Sequence, residues 1–163
     1  MKTDNAMEIG KGSFTIAYEK DAKNVILKSI DPTKKILANK VFKSPMIPRI
    51  VHTDTADGFD YYVMPKLHVL AKNKNTRFLN SQSKKWMEKY DLSCFKGDQI
   101  YSFIENMQDF PNEQRALLEI VECMSGSGIE FLLEIYDMNI AVDKKSGNLI
   151  FFDMIMPLNH RFI

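Results

Sequence analysis

The chain has 163 residues, 22 Lys and Arg against 21 Asp and Glu, and 45% apolar side chains, enough for one soluble domain or two small lobes with a real core. A net charge of +1 sets up no global field, which argues against avid nonspecific binding to nucleic acid or to an anionic membrane. No run approaches the roughly 18 uninterrupted apolar residues of a spanning helix, and the opening MKTDNAMEIG lacks the apolar stretch of a secretory signal, so a cytoplasmic protein without membrane contact is expected. Cys94 and Cys123 form no CxxC pair, and His52, His68 and His160 are scattered. Neither a zinc site nor a redox dithiol is expected, and the two thiols read as small buried groups.

Residues 7–30 alternate β-branched and aromatic runs with Gly and Asp/Lys turns, which predicts three antiparallel strands. Asp31 followed by Pro32 is the pattern of an N-cap and a first helical residue, opening a short basic helix to about Phe42 that Pro45 and Pro48 terminate. Two further strands follow, about Ile50–Thr53 and Phe59–Met64, separated by the turn Thr55-Ala56-Asp57-Gly58. From Leu70 to about Asp91 the composition shifts to Lys, Asn, Ser and Gln, the mark of a flexible or inserted region. Its Lys and Arg residues interleave with Phe78, Trp86 and Tyr90, a mix that binds single-stranded nucleic acid in some proteins. With so little net charge the favoured reading is a solvated amphipathic segment whose aromatics pack inward, and nucleic acid is not expected as a partner. After Pro111, residues Leu117, Ile120, Val121 and Met124 recur at helical spacing, with a stop at Ser125-Gly126-Ser127-Gly128. Ile140–Val142 and Asn148–Phe152, joined by Asp143-Lys-Lys-Ser-Gly147, read as a hairpin.

Three features carry phosphate chemistry in the order in which a phosphotransferase uses them. Gly10-Lys11-Gly12-Ser13-Phe14 is a glycine-containing turn between strands, which lets backbone N–H groups approach phosphates, with Phe14 closing the tip. It is not a dinucleotide fingerprint, because a strand and not a helix follows it. Lys28 ends the apolar run Val25-Ile-Leu, one strand later, where a cation balances phosphate charge or simply reaches solvent. Asn139 and Asp153 flank the predicted hairpin and are expected to converge at one end of it as oxygen ligands for Mg²⁺, with Glu134 just upstream.

Taken together these residues resemble the eukaryotic-like protein kinase superfamily in a minimal form, and most nearly the early protein kinases of short-tailed bacteriophages. EIGKGSFTIAY resembles the Gly-rich loop, with Thr15 at the place of its third glycine, and VILK resembles the strand-borne VAIK lysine. Tyr61-Tyr-Val-Met-Pro-Lys-Leu67 is similar to the last small-lobe strand and hinge, Glu134–Asn139 to D-x-x-x-x-N, and Asp153-Met-Ile155 to D-F-G.

The resemblance implies an α+β, two-lobed fold. Residues 1–67 would be an antiparallel N-lobe with hinge, and 68–163 a reduced helical C-lobe with a β-hairpin, holding ATP and Mg²⁺ between them. It implies phosphate binding by Gly10, Lys11, Gly12, Ser13, Phe14 and Lys28. Adenine would lie under Ala17 and Ile26, over Leu149 or Ile150, with Met64 as the last residue before the hinge and hydrogen bonds at the Pro65 carbonyl and the Leu67 N–H. Asn139 and Asp153 would hold metal, and Glu134 would act as the base, with Asp137 in reserve. The implied activity is phosphorylation of Ser or Thr on a host or partner protein, in the host cytoplasm if the chain is phage-encoded. The departures point elsewhere: the only acid in Ser29–Ile50 is Asp31, Glu134 replaces the usual aspartate, and ten residues follow Asp153. They favour, as the alternative, a pseudokinase that inhibits a protein by binding it. A small-molecule kinase is the weaker third reading.

Overall fold

Alternating strands and tight turns build an antiparallel sheet from β1 (Glu8–Lys11), β2 (Thr15–Glu19), β3 (Asn24–Ser29), β4 (Val51–Ala56) and β5 (Phe59–Pro65), in the order β1-β2-β3-β5-β4. This is a computed structural model that describes residues 3–158, and the chain divides into two units: 3–41 with 49–66, and 42–48 with 67–158. The class is α+β. Asp57 and Gly58 both take positive φ (54° and 80°), so the turn between β4 and β5 is a two-residue type I′ turn and the strands run to Ala56 and from Phe59. Helix α1 (Pro32–Leu37) is capped as expected, the Asp31 carboxylate accepting from the Thr33 N–H at 2.8 Å. It stops at Leu37 and not near Phe42. Ala38 is already extended, and Asn39 turns left-handed (φ 60°), donating its N–H to the Ile50 carbonyl at 2.7 Å and accepting from the His52 N–H. Pairing with the start of β4, and not the later prolines, ends the helix.

The second unit holds β6 (His68–Val69), α2 (Ser81–Tyr90), β7 (Ser93–Lys96), α3 (Asp98–Glu105), α4 (Pro111–Ser125), β8 (Phe131–Ile135), β9 (Ile140–Val142), β10 (Leu149–Phe151) and β11 (Ile155–Pro157). Its two small sheets run β10-β9-β6 and β11-β8-β7. The segment 70–91, expected to be flexible or inserted, is instead folded around α2: Asn80 caps the helix, and Trp86 is fully buried, donating its ring N–H to Met107 Sδ at 3.2 Å and packing against Phe151. Burial of one large aromatic outweighs a polar average. The inward packing of the aromatics holds, since Tyr90 lies edge-on to Phe103 and Phe110. The helix at 111–125 and the 140–151 hairpin also form, with Ala116, Leu117, Val121, Met124, Ile140 and Leu149 essentially inaccessible. The thiols are not buried as expected: Cys94 is exposed and Cys123 half-buried. Among the described residues no helix is long and apolar enough to cross a membrane.

Candidate functional site

The carboxylate group of the second unit is assembled by strand pairing. Strand β8 pairs β11 with Leu133 opposite Ile155, and the Glu134 N–H donates to the Met154 carbonyl at 2.8 Å. The hairpin β9–β10 closes with Ile140 opposite Phe151, so the Asn139 carbonyl receives the N–H groups of Phe152 and Asp153 at 3.4 and 3.3 Å. These two sets of backbone bonds bring Glu134, Asn139 and Asp153 together. Burial first, and then the Asp153 carboxylate beside it, push the Glu134 pKa up, while a hydrogen bond from the Asn139 side chain opposes the rise. Leu133 and Ile135 point to the core and are inaccessible, so strand alternation puts Glu134 on the outer face. The expected convergence of Asn139 and Asp153 at one end of the hairpin is present.

Two neighbours of Glu134 carry no sequence signal. Cys94 lies directly opposite it in the β7–β8 register, and the Tyr136 hydroxyl is hydrogen-bonded to Cys94. Desolvation, then Cys94 and Glu134, raise the Tyr136 pKa. Only the pairing of β7 with β8 creates this cluster, and β7 has no alternation strong enough to announce itself. Asp137, the reserve base, is committed: its carboxylate accepts the Lys72 N–H at 2.8 Å and so holds the loop before α2.

In the first unit, Gly10 and Lys11 pair with Ala17 and Ile16, and the Gly12 N–H donates to the Thr15 carbonyl at 2.8 Å, closing the turn. Gly10, Lys11, Gly12 and Ser13 are exposed. A Cβ on Gly10 or Gly12 would meet nothing nearer than 3.9 or 3.8 Å, so the turn's own packing does not demand glycine at either place. The tip is fastened to the end of β3: the Phe14 carbonyl accepts from Ser29 Oγ at 3.1 Å and from the Ile30 N–H at 3.0 Å.

Strand β3 separates two residues expected to act together. The β2–β3 register sets Ala17 opposite Leu27, and Ile16 opposite Lys28. Opposed residues share a face and successive ones alternate, so Ala17 lies on one face while Ile26 and Lys28 lie on the other with Ile16 and Tyr18. A single base therefore cannot lie under both Ala17 and Ile26, which corrects that pairing. The Lys28 ammonium sits 4.3 Å from the centre of the Phe59 ring. Helix α1 contacts the opposite face, where Lys35 reaches Asp60 at 3.4 Å, and its one acid, Asp31, is spent on the cap. The lysine–glutamate clamp of kinases thus lacks both its acid and its side. At the end of β5, Met64 is buried and Pro65 is exposed opposite Asn24, the Lys66 N–H bonds the Lys23 carbonyl at 2.8 Å, and Leu67 is half-buried. Of the two floor candidates, Leu149 is inaccessible and Ile150 half-buried.

The donors around Glu134 are hard oxygens, two carboxylates and an amide, and the Asp153 charge, which adds to the larger effect of burial in raising the Glu134 pKa, is what a divalent cation would offset. That set fits Mg²⁺. Among the described residues no group of three or more His, Cys, Asp or Glu side chains is placed to hold a metal ion. No protein-family model matches the chain, and no curated protein matches it.

Proposed function

We propose that the chain is a minimal protein-kinase-like phosphotransferase that uses Mg²⁺ and ATP to phosphorylate Ser or Thr hydroxyls of a partner protein, a host protein if the chain is phage-encoded. The observation that carries this reading is the meeting of Glu134, Asn139 and Asp153, three positions separated in sequence and joined by two independent sets of backbone bonds. Glu134, held at a raised pKa, accepts the proton of the attacking hydroxyl as its oxygen bonds to the γ-phosphorus and the bond to ADP breaks. Asn139 and Asp153 are the residues that would hold Mg²⁺, whose chemistry is neutralisation of phosphate charge. Gly10–Phe14 and Lys28, in the first unit, are the residues to which this reading assigns phosphate binding. Catalysis of this kind rests mostly on positioning, so the missing clamp costs rate.

In a thermal melt, Mg-ATP should raise the Tm with ligand excess, because only the folded state binds it. Asp153→Ala and Lys28→Ala should each remove the shift. Glu134→Gln should keep it while transfer of labelled phosphate falls by about 10²- to 10⁴-fold. No shift at millimolar Mg-ATP would overturn the proposal. The second reading, a pseudokinase acting by binding, is favoured by the placement of Lys28 on Phe59 and of Asp31 on the α1 cap. It predicts that biological effect survives Glu134→Gln, Lys28→Ala and Asp153→Ala combined.

A further inference from the structure

We propose that the loop 72–78 and the β9–β10 turn together form a docking site for an acidic polypeptide segment of a partner protein. The two stretches are distant in sequence and fastened to one another: the Asn80 N–H donates to the Gly147 carbonyl at 3.1 Å, and the Asn80 amide bonds the Ser146 carbonyl at 3.2 Å and Asn148 Oδ1 at 2.9 Å. This places Lys144 with Arg77 on a single aromatic ring. The Arg77 guanidinium lies 4.8 Å and the Lys144 ammonium 4.6 Å from the centre of Phe78. Lys72, Lys74 and Lys145 lie in the same two stretches of chain, and all five cations are exposed.

Their charge is only partly answered from within. Residues 70–78 contain no acid, and none of the ion pairs among the described residues includes any of these five side chains. The turn's own acid, Asp143, accepts from Ser146 Oγ at 2.8 Å and the Lys145 N–H at 3.2 Å and attracts the Lys145 charge, and Asp137 accepts the Lys72 N–H, so two carboxylates stand against five cations. Gathering five cations around two carboxylates leaves an excess of positive charge that an anionic partner offsets.

The aromatic residues decide which anion. Single-stranded nucleic acid needs open rings for its bases, yet Phe78 already carries two cations, Trp86 is inaccessible, and Tyr90 packs against Trp86, Phe103 and Phe110. A surface of point charges without stacking platforms suits Asp and Glu side chains. Asp137 ties this surface to the turn that leads into Asn139, so a protein held there lies beside the carboxylate cluster of the same unit. Docking itself requires no phosphotransfer.

The test is fluorescence anisotropy on the full chain without nucleotide, using a labelled peptide of alternating Glu and Ser and, separately, an oligothymidylate of equal length. The peptide should bind at low salt and release as salt screens the contact. Arg77→Glu with Lys144→Glu should weaken it at least about tenfold, and the gentler Arg77→Gln with Lys144→Gln should weaken it in the same direction, folding being checked by melting temperature. Lys23→Glu with Lys40→Glu, the same charge change elsewhere, should leave affinity within about twofold. Absence of peptide binding at low salt, tighter binding of the oligothymidylate, or equal weakening by the Lys23/Lys40 pair would each overturn the proposal. Because no nucleotide is present, these outcomes are independent of the Mg-ATP melt.

Discussion

Glu113 shows what one side chain does to the whole energy balance. It lies in the first turn of α4, where the helix dipole favours an anion by about 0.3–1 kcal/mol, but it is 4% exposed and its Oε2 has no hydrogen-bond partner. Leaving a buried charged acceptor unsatisfied costs about 1–3 kcal/mol or more, so burial prevails and the pKa rises above its ordinary 4.5. The folded state then holds the proton more tightly than the unfolded one. The stabilising contribution is fully present below about pH 4.5 and is lost as the pH climbs through the raised pKa. Glu113→Gln should therefore raise the Tm at neutral pH by about 2–4 °C and flatten the fall of stability above pH 4.5, as scanning calorimetry across pH would show. A lower Tm for the variant would mean that the carboxylate is ionised and partnered. Glu134, raised in the same direction, contributes a slope of the same sign, so Glu134→Gln melted in parallel separates the two groups.

At the scale of elements, Gly147 and Asn80 decide whether the β9–β10 hairpin meets α2. Gly147 has φ +75°, and a Cβ there would stand 2.6 Å from the Asn80 nitrogen and 2.9 Å from the Phe78 carbonyl oxygen. Both obstacles are backbone, so relief requires the hairpin to back away from the helix start. Gly147→Ala should cost about 3 kcal/mol, combining left-handed strain of about 1–2 kcal/mol with loss of the Asn80 bonds. Gly126→Ala is the matched control: its φ is −86°, nothing lies within 4 Å, and removing glycine entropy should stabilise by about 0.4–1 kcal/mol. Urea denaturation of the pair checks both signs. Equal stability of the two variants would show that the hairpin docks loosely.

For the molecule as a whole, the chain path matters more than the division into units. Residues 42–48 leave the first unit, join the second, and return to β4. Their hold on the second unit is specific: the Glu119 carboxylate accepts the Lys43 and Ser44 N–H groups at 2.7 and 2.9 Å, and the Met46 carbonyl accepts the Phe151 N–H at 2.7 Å. A fragment of residues 67–163 lacks that segment, leaving Glu119 without two charge-assisted bonds and Phe151 without its acceptor. It should melt well below the full chain, and in the full chain Glu119→Ala should cost about 1–3 kcal/mol and speed proteolysis within 42–48. Unchanged protection of 42–48 in Glu119→Ala would show that Met46, buried at 3% exposure, holds the segment without Glu119.

What the sequence determined by itself was local. The Asp31-Pro32 helix start, the Asp57-Gly58 turn, the α4 stripe and the 140–151 hairpin all rest on backbone preferences or periodicities that a few neighbouring residues contain. The hairpin even placed Asn139 and Asp153 at one end, because the span of a short turn leaves little freedom. Tertiary structure alone decided the rest. Whether Ala17 shares a face with Ile26 depends on a one-residue register, and side chains alternate with a period of two. The shortening of α1 depends on Asn39 bonding Ile50 across the chain, the order in 70–91 on a pocket for Trp86, and the company of Cys94 and Tyr136 at Glu134 on the pairing of β7 with β8. Arg77 and Lys144 likewise meet on Phe78 only because Gly147 lets two backbones touch, a contact that no local composition encodes, since its favourable free energy comes from groups far apart along the chain.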